Sequence, residues 1–375
     1  MGRRTVLILT GEPSGDRAGG LLARELRNLE PTTRILAVGG PHLREAGAVI
    51  VEDIGRLSAM GFVEVLGHLP RLWELRARIA RLLDEERPDV VVPIDYPDFH
   101  LGVAKLAKSR RIPVVYYIGP QIWAWRAGRI TEIARVVDRM LVVFPFETEL
   151  YEKAGVRVDF VGHPLLDSLD EPSSSDDVEA NAAHPRLALL AGSRVQEVRR
   201  ILPVMLETAA VLRRRHPELR VLVSVAPSVP RGEYDEIVRA QGVDVELLAE
   251  RAALTLRAAT IALVTSGTAT LEAALLGTPL AVLYRTSRLT WAIGRRVVRL
   301  PRISLVNILA QRELVPEFLQ DAARPEAIAD AMSPLLDDPA KRRRMRSELL
   351  ALRALLGEPG ASLRAARIVV EEASR

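Results

Sequence analysis

Short apolar runs alternate with longer amphipathic segments along nearly the whole chain. In the first half the apolar runs fall near Val6–Leu9, Ile35–Val38, Val90–Ile94, Val114–Ile118, Met140–Val143 and Val158–Val161. Several lack polar alternation, as parallel strands covered on both faces do. Between them, Arg17–Asn28 and Leu69–Glu86 carry helical spacing. This rhythm predicts a doubly wound α/β domain. It stops in the polar, acidic stretch Asp167–His184, so residues 169–184 read as a linker. It restarts with runs near Leu187–Leu190, Val221–Val225, Val243–Leu247, Ile261–Val264 and Leu280–Leu283, and helices near Val195–Arg215, Ala269–Leu276 and Leu335–Leu355. The expected organisation is a domain over 1–168, a second over 185–355, and a helix in 356–375 that packs back on the first. Two α/β domains of similar size imply a cleft between them, a usual place for a ligand.

A length of 375 residues suits two such domains, and 48% hydrophobic residues can fill two cores. No cysteine is present, which excludes disulfides, thiolate zinc sites and a cysteine nucleophile. The apolar run after Met1-Gly2-Arg3-Arg4 is too short for a secretory leader, and no run approaches the ~20 residues of a membrane span. The expected location is therefore the cytoplasm or a membrane surface. The net charge is +4. Lysine stands only at 105, 108, 153 and 341, so all but four of the 52 basic residues are arginine. Genome bias explains such an excess. So does an anionic partner, because arginine pairs with phosphate through two parallel bonds.

Five stretches carry chemistry. Thr10-Gly11-Glu12-Pro13-Ser14-Gly15-Asp16 follows the first strand, where open α/β sheets bind ligands. It lacks the lysine of a phosphate loop. Its carboxylates Glu12 and Asp16 and the Ser14 hydroxyl suit a polyhydroxylated ligand, with helix capping as the alternative for Asp16. Val90–Ile94 delivers Asp95, a carboxylate at the end of a buried strand and so a candidate base. Asp98 follows at the start of a helical pattern. Two of the four tryptophans stand at Trp123 and Trp125, next to Gln121 and Arg126, in a run that either packs or binds. In the second half, Gly192-Ser193-Arg194 and Ser266-Gly267-Thr268-Ala269-Thr270 each join a strand to a helix, the geometry of a phosphate seat. Glu272, one helical turn beyond Thr268, can accept ribose hydroxyls. Together these point to a nucleoside diphosphate. The six histidines are scattered and no metal-binding spacing occurs, so neither metal nor cofactor is expected. Arg194 and helix dipoles then balance the diphosphate charge.

Taken together these residues resemble the lipid-A-disaccharide synthases, inverting glycosyltransferases of the GT-B architecture, in which two Rossmann-like domains face a cleft. The resemblance is carried by Gly-Glu-Pro-Ser-Gly-Asp at 11–16, Val-Gly-Gly-Pro at 38–41, Met-Gly-Phe-Val-Glu-Val-Leu at 60–66 and Ile-Asp-Tyr-Pro-Asp-Phe at 94–99. It continues through Pro-Gln-Ile-Trp-Ala-Trp-Arg at 120–126, Pro-Phe-Glu at 145–147 and Val-Gly-His-Pro-Leu at 161–165. Gly-Ser-Arg at 192–194, Ser-Gly-Thr-Ala-Thr-Leu-Glu at 266–272 and Asn-Ile-Leu-Ala at 307–310 complete it. The resemblance implies that UDP-2,3-diacylglucosamine donates its sugar to 2,3-diacylglucosamine 1-phosphate, giving a β-1,6 disaccharide and UDP. It implies Asp95 as base with Glu12 and Arg194 also catalytic, Arg194 on the diphosphate, Glu272 on the ribose, and Ser14, Asp16, Met60, Glu64, Asp98, Gln121, Trp123, Trp125, Arg126 and Asn307 as substrate contacts. Three positions depart from the family: Gly119 where serine is usual, Ala191 where proline is usual and His100 where asparagine is common.

Acylated substrates bring the chain to an inner-leaflet anionic membrane surface. The apolar run Leu57–Leu66, followed by Arg71, Arg76, Arg78 and Arg81, suits one, with an ordinary core helix as the alternative. A UDP-sugar epimerase or a different glycosyltransferase on the same fold shares the second-domain motifs but needs no lipid-facing surface. An RNA-binding module fits the basic charge, but aromatics are only 4% and no RNA-binding motif occurs, so nucleic acid is not an expected partner. The sequence leaves open a homodimer.

Overall fold

The computed structural model describes residues 3–54, 65–123, 127–169, 184–249, 252–287, 291 and 302–375. Met60, Glu64, Trp125 and Arg126, the run 57–64 and nearly all of the linker lie outside the described residues. The chain divides into two compact units, one built mainly from Met1–Ser168 with Leu356–Arg375, the other mainly from Leu169–Arg295 with Leu300–Leu355.

In the first unit the strands are β1 (Thr5–Leu9), β2 (Arg34–Gly39), β3 (Val49–Asp53), β4 (Val90–Pro93), β5 (Val115–Tyr117), β6 (Arg139–Val142) and β7 (Val158–Phe160). They pair in parallel as β3-β2-β1-β4 and β5-β6-β7. Parallel bridges Val91↔Val114 and Ile94↔Tyr117 join the two groups between β4 and β5. Val6–Leu9 and Val90–Val92 are buried throughout, as their lack of alternation predicts. β3 went unread in the sequence because it is an edge strand with mixed polarity, Val-Ile-Val-Glu-Asp, and Val49 is half exposed.

In the second unit β8 (Arg186–Leu190), β9 (Arg220–Ser224), β10 (Glu246–Leu248), β11 (Ile261–Thr265), β12 (Leu280–Tyr284) and β13 (Glu317–Leu319) form one parallel sheet, in the order β10-β9-β8-β11-β12-β13. The strand read over Val243–Leu247 is shifted to Glu246–Leu248, and β13 is a further short edge strand the sequence reading lacked. The single helix expected over Leu335–Leu355 is two, Pro325–Asp337 and Pro339–Ala351. Asp338 breaks them apart: its carboxylate accepts the N–H groups of Ala340 (2.8 Å) and Lys341 (3.3 Å), and Pro339 opens the new helix.

Both sheets reverse their strand order once, between β1 and β4 and between β8 and β11. Ligands of open α/β sheets bind beyond the carboxyl ends of the strands at such points.

The helix Ala361–Glu372 belongs to the first unit and packs on the helix Pro13–Leu29. Asp167 caps it, accepting N–H groups of Gly360 (2.6 Å), Ala361 (3.2 Å) and Ser362 (2.7 Å). Arg139 ties it to the sheet through Asp159 (2.6 Å), Glu371 (2.7 Å) and Glu372 (3.1 Å).

Candidate active site

At the reversal of the first sheet, the turns after β1 and β4 touch. A Cβ on Gly11 would lie 2.3 Å from Cγ of the Tyr96 ring, so only glycine lets the ring sit there. Asp95 and Tyr96 both adopt left-handed backbone, with φ of 49° and 51°. Such residues cost roughly 1–3 kcal/mol each and persist where surroundings enforce them. The enforcement is visible. The Asp95 N–H donates to Tyr117 O at 3.2 Å. Its carbonyl accepts from His100 Nδ1 at 2.6 Å and from the Tyr116 hydroxyl at 2.7 Å. The half-buried Asp95 side chain thus leaves a backbone held from three sides. Burial lowers the His100 pKa to about 4, partly opposed by the bond to Asp95, so the ring is neutral at pH 7 and carries its proton on Nδ1.

The other first-unit candidates take different positions. Glu12 is the extended residue before the helix Pro13–Leu29, and Ser14 lies half-buried in its first turn. Asp16 is 1% exposed, and its carboxylate accepts the N–H groups of Gly40 (2.6 Å), His42 (2.9 Å) and Leu43 (3.3 Å). It therefore caps the helix Pro41–Glu45 rather than its own helix, a job that sequence spacing does not reveal. Asp98 is exposed in the first turn of Pro97–Ser109 and forms an ion pair with Arg129. Gln121 is exposed. Trp123 packs edge-on against Phe146, centroids 5.3 Å apart, and its indole N–H donates to Glu147 at 3.0 Å.

Glu147 is the residue the sequence reading missed. It is 1% exposed. Burial pushes its pKa up to about 7, the Asp95 charge adds to this, and hydrogen bonds from Trp123, Phe144 and Val143 oppose it. Its signal in the sequence was the Pro-Phe-Glu block at 145–147.

In the second unit, Gly192 adopts φ 111° at the end of β8, and Arg194 is the extended residue before the helix Val195–Arg215. Glu197 reaches back over this turn. Its carboxylate accepts the Ser193 N–H and an Arg194 Nη1 bond, each at 3.1 Å. A Cβ on Gly192 would lie 2.3 Å from that carboxylate. After β11, Gly267 adopts φ 149° ahead of the helix Thr268–Leu276, and a Cβ there would meet nothing within 4 Å. The Ser266 hydroxyl donates to Ile303 O at 3.3 Å and the Thr270 hydroxyl to Gly267 O at 2.8 Å. Thr268 and Ala269 are half-buried in the first turn, and Glu272 is buried one turn on. The Thr265 hydroxyl, at the end of β11, is buried without a hydrogen-bond partner.

Asn307 is fully buried, and its amide bonds to Val315, Glu317 and Leu314. Nδ2 donates to Val315 O and Glu317 Oε1, both at 2.8 Å. Oδ1 accepts the N–H groups of Leu314 (2.7 Å) and Val315 (2.9 Å). Glu317 also accepts from Ile303 N and Ser304 N at 3.0 Å. This network fixes the segment that Ser266 touches, so Asn307 supports the turn from behind. Among the described residues no group of three or more histidines and carboxylates could hold a metal ion.

Residues 6–369 match the family model described as lipid-A-disaccharide synthetase. The chain belongs to the lipid-A-disaccharide synthetase family. A lipid-A-disaccharide synthase of Geobacter metallireducens is 41% identical over 372 residues, covering 98% of this chain and 97% of its own. One of Syntrophus aciditrophicus is 42% identical, with coverages of 98% and 97%. Among solved structures, a putative UDP-N-acetylglucosamine 2-epimerase of Listeria monocytogenes superposes with a TM-score of 0.68 at 13% identity, covering 97% of this chain and 95% of that one. A glycotransferase of kitacinnamycin gives 0.59 at 16% identity, covering 99% and 100%. These likenesses show the fold, two Rossmann-like domains of GT-B type. The synthetase family membership makes the chain a glycosyltransferase of lipid A biosynthesis.

Proposed function

We propose that the chain transfers 2,3-diacylglucosamine from UDP-2,3-diacylglucosamine to 2,3-diacylglucosamine 1-phosphate, with Asp95 as the base. Asp95 takes the proton of the acceptor 6-hydroxyl as that oxygen attacks the anomeric carbon from the side opposite UDP, which inverts the centre and expels UDP. Arg194 and the N-termini of the helices Val195–Arg215 and Thr268–Leu276 offset the charge on the leaving diphosphate. Glu272 accepts the ribose hydroxyls. Glu12 assists the reaction, and Ser14, Gln121 and Trp123 bind substrate, as do Met60, Glu64, Trp125 and Arg126, which lie outside the described residues. Asp98, which ion-pairs with Arg129, borders the acceptor side. Asp16 and Asn307 brace these two sites from inside the fold.

The observation that carries this reading is the coincidence of motif and topology. Thr10–Asp16 and Asp95 follow β1 and β4, while Gly192–Arg194 and Ser266–Thr270 follow β8 and β11. Each pair flanks the reversal in its own sheet.

The reading extends to a peripheral station on the cytoplasmic face of an anionic membrane. Among the described residues no helix is long and apolar enough to cross one. On the helix Val65–Glu86, Trp73 is 75% exposed, and Arg76, Arg78 and Arg81 are exposed with it. A tryptophan among arginines suits an anionic interface.

UDP release measured with and without 2,3-diacylglucosamine 1-phosphate tests the transfer. Release should depend on the acceptor. Turnover of UDP-N-acetylglucosamine alone would favour the epimerase reading instead.

A further inference from the structure

The helix Phe146–Glu152 grips one loop at two points. Glu147 Oε1 accepts the Trp123 indole N–H at 3.0 Å, and the Tyr151 hydroxyl donates to Pro120 O at 3.1 Å. Residues four apart share a helix face, so one face holds the loop Gly119–Trp123. Gly119 is part of the fit. A Cβ there would lie 2.8 Å from the Tyr151 hydroxyl and 3.1 Å from Met140 Sδ. The glycine that departs from the family thus lets Tyr151 approach closely. The second oxygen of Glu147 accepts the Phe144 N–H at 3.2 Å.

Fastening a loop does not by itself require a buried acid, because a neutral acceptor does so without the cost of desolvating a charge. The surroundings give Glu147 a further use. Asp95 follows β4, Trp123 follows β5 and Glu147 follows β6, and these three strands are neighbours in one parallel sheet. The indole-bearing turn thus leaves the strand that lies between those leading to Asp95 and Glu147, and the Asp95 charge acts on the Glu147 carboxyl.

We propose that Glu147 is a positioning residue for the acceptor sugar: it sets the Trp123 indole beside Asp95. The inference rests on the reading of Asp95 as base. The grip depends on pH. The groups acting on the carboxyl are Asp95 from the turn after β4, the Trp123 indole, the Phe144 and Val143 N–H groups and Tyr151 on its own helix. Burial raises Glu147 to about 7. Below that value the carboxyl carries a proton and accepts less strongly from its donors, so the indole loosens.

The test is steady-state kinetics on detergent-dispersed acceptor from pH 6 to 8, with parent, Glu147→Gln, Trp123→Phe, the double variant and Asp95→Asn. In the parent, acceptor KM should rise as pH falls through about 7. Glu147→Gln should raise acceptor KM about tenfold, lower kcat much less and flatten that profile. Trp123→Phe should do the same, and the double variant should be no worse than either single one, because the two act as a unit. Unchanged acceptor KM and pH profile in Glu147→Gln would overturn the proposal, as would additive effects in the double variant. If Glu147→Gln does not fold, Trp123→Phe decides alone: a retained inflection near pH 7 in acceptor KM refutes the role. Full activity in Asp95→Asn would instead remove the underlying reading, whatever Glu147 does.

Discussion

His100 Nδ1 lies 2.6 Å from the carbonyl oxygen of Asp95, so a buried imidazole one helical turn on holds the backbone of the proposed base. Asparagine, common at this position in the family, carries an N–H able to make the same bond. His100→Asn should therefore keep most activity, and His100→Leu should lower kcat/KM about tenfold, the cost of an unmade hydrogen bond beside a strained backbone. The pH dependence of stability has a definite sign. The folded-state pKa of about 4 lies below the ordinary 6.5, so the neutral ring favours the native state. That contribution is complete above pH 6.5 and is lost as pH falls through about 4, up to about 3 kcal/mol. Urea unfolding at pH 7 and pH 4.5 should show His100→Asn losing less stability on acidification than the parent.

Arg194→Ala should lower turnover by roughly 10²–10³, the cost of a missing charge-stabilising donor. Arg194→Lys should recover little, because an ammonium cannot make the paired contact. The Arg194–Glu197 pair is partly exposed, at 37% and 22%, so it contributes little to stability. The melting temperature of Arg194→Ala should stay within a few degrees of the parent. A large fall in both together would mean that Arg194 acts through the fold.

Asn307 makes the opposite prediction. Removing its amide strands the buried N–H groups of Leu314 and Val315 and the Val315 carbonyl. Asn307→Ala should cost about 2–4 kcal/mol. Asn307→Asp should also destabilise, because it sets a second carboxylate against Glu317. Chemical denaturation measures both. A variant as stable as the parent yet inactive would return Asn307 to direct substrate contact.

Replacing Arg71, Arg76, Arg78 and Arg81 by serine, together with Trp73→Ser, should weaken co-sedimentation with anionic liposomes. Each arginine near such a surface contributes about 1 kcal/mol, and the attraction is screened within about 8 Å at physiological salt. Activity on detergent-dispersed acceptor should change little. Equal pelleting of variant and parent would show that another face docks.

What the sequence disclosed and what it hid follow from the range of the interactions. The buried strands were legible because Val6–Leu9 and Val90–Val92 are apolar without alternation, and the turns Gly192–Arg194 and Ser266–Thr270 because glycine and hydroxyls cluster between strand and helix. The edge strands β3 and β13 were not, because one side of each is unpaired and their polarity is mixed. The jobs of Asp16 and Asn307 were hidden for another reason. Their partners at Gly40–Leu43 and Leu314–Glu317 lie beyond the same helical turn, and no local spacing records them. Glu147 escaped because its meaning depends on Trp123, 24 residues earlier.

The central claim is that Asp95 removes the acceptor proton. The most direct measurement is UDP release by Asp95→Asn on detergent-dispersed acceptor, with UDP affinity determined on the same preparation. The account predicts a fall in turnover of roughly 10²–10⁴ with UDP affinity unchanged. Turnover near that of the parent would contradict it.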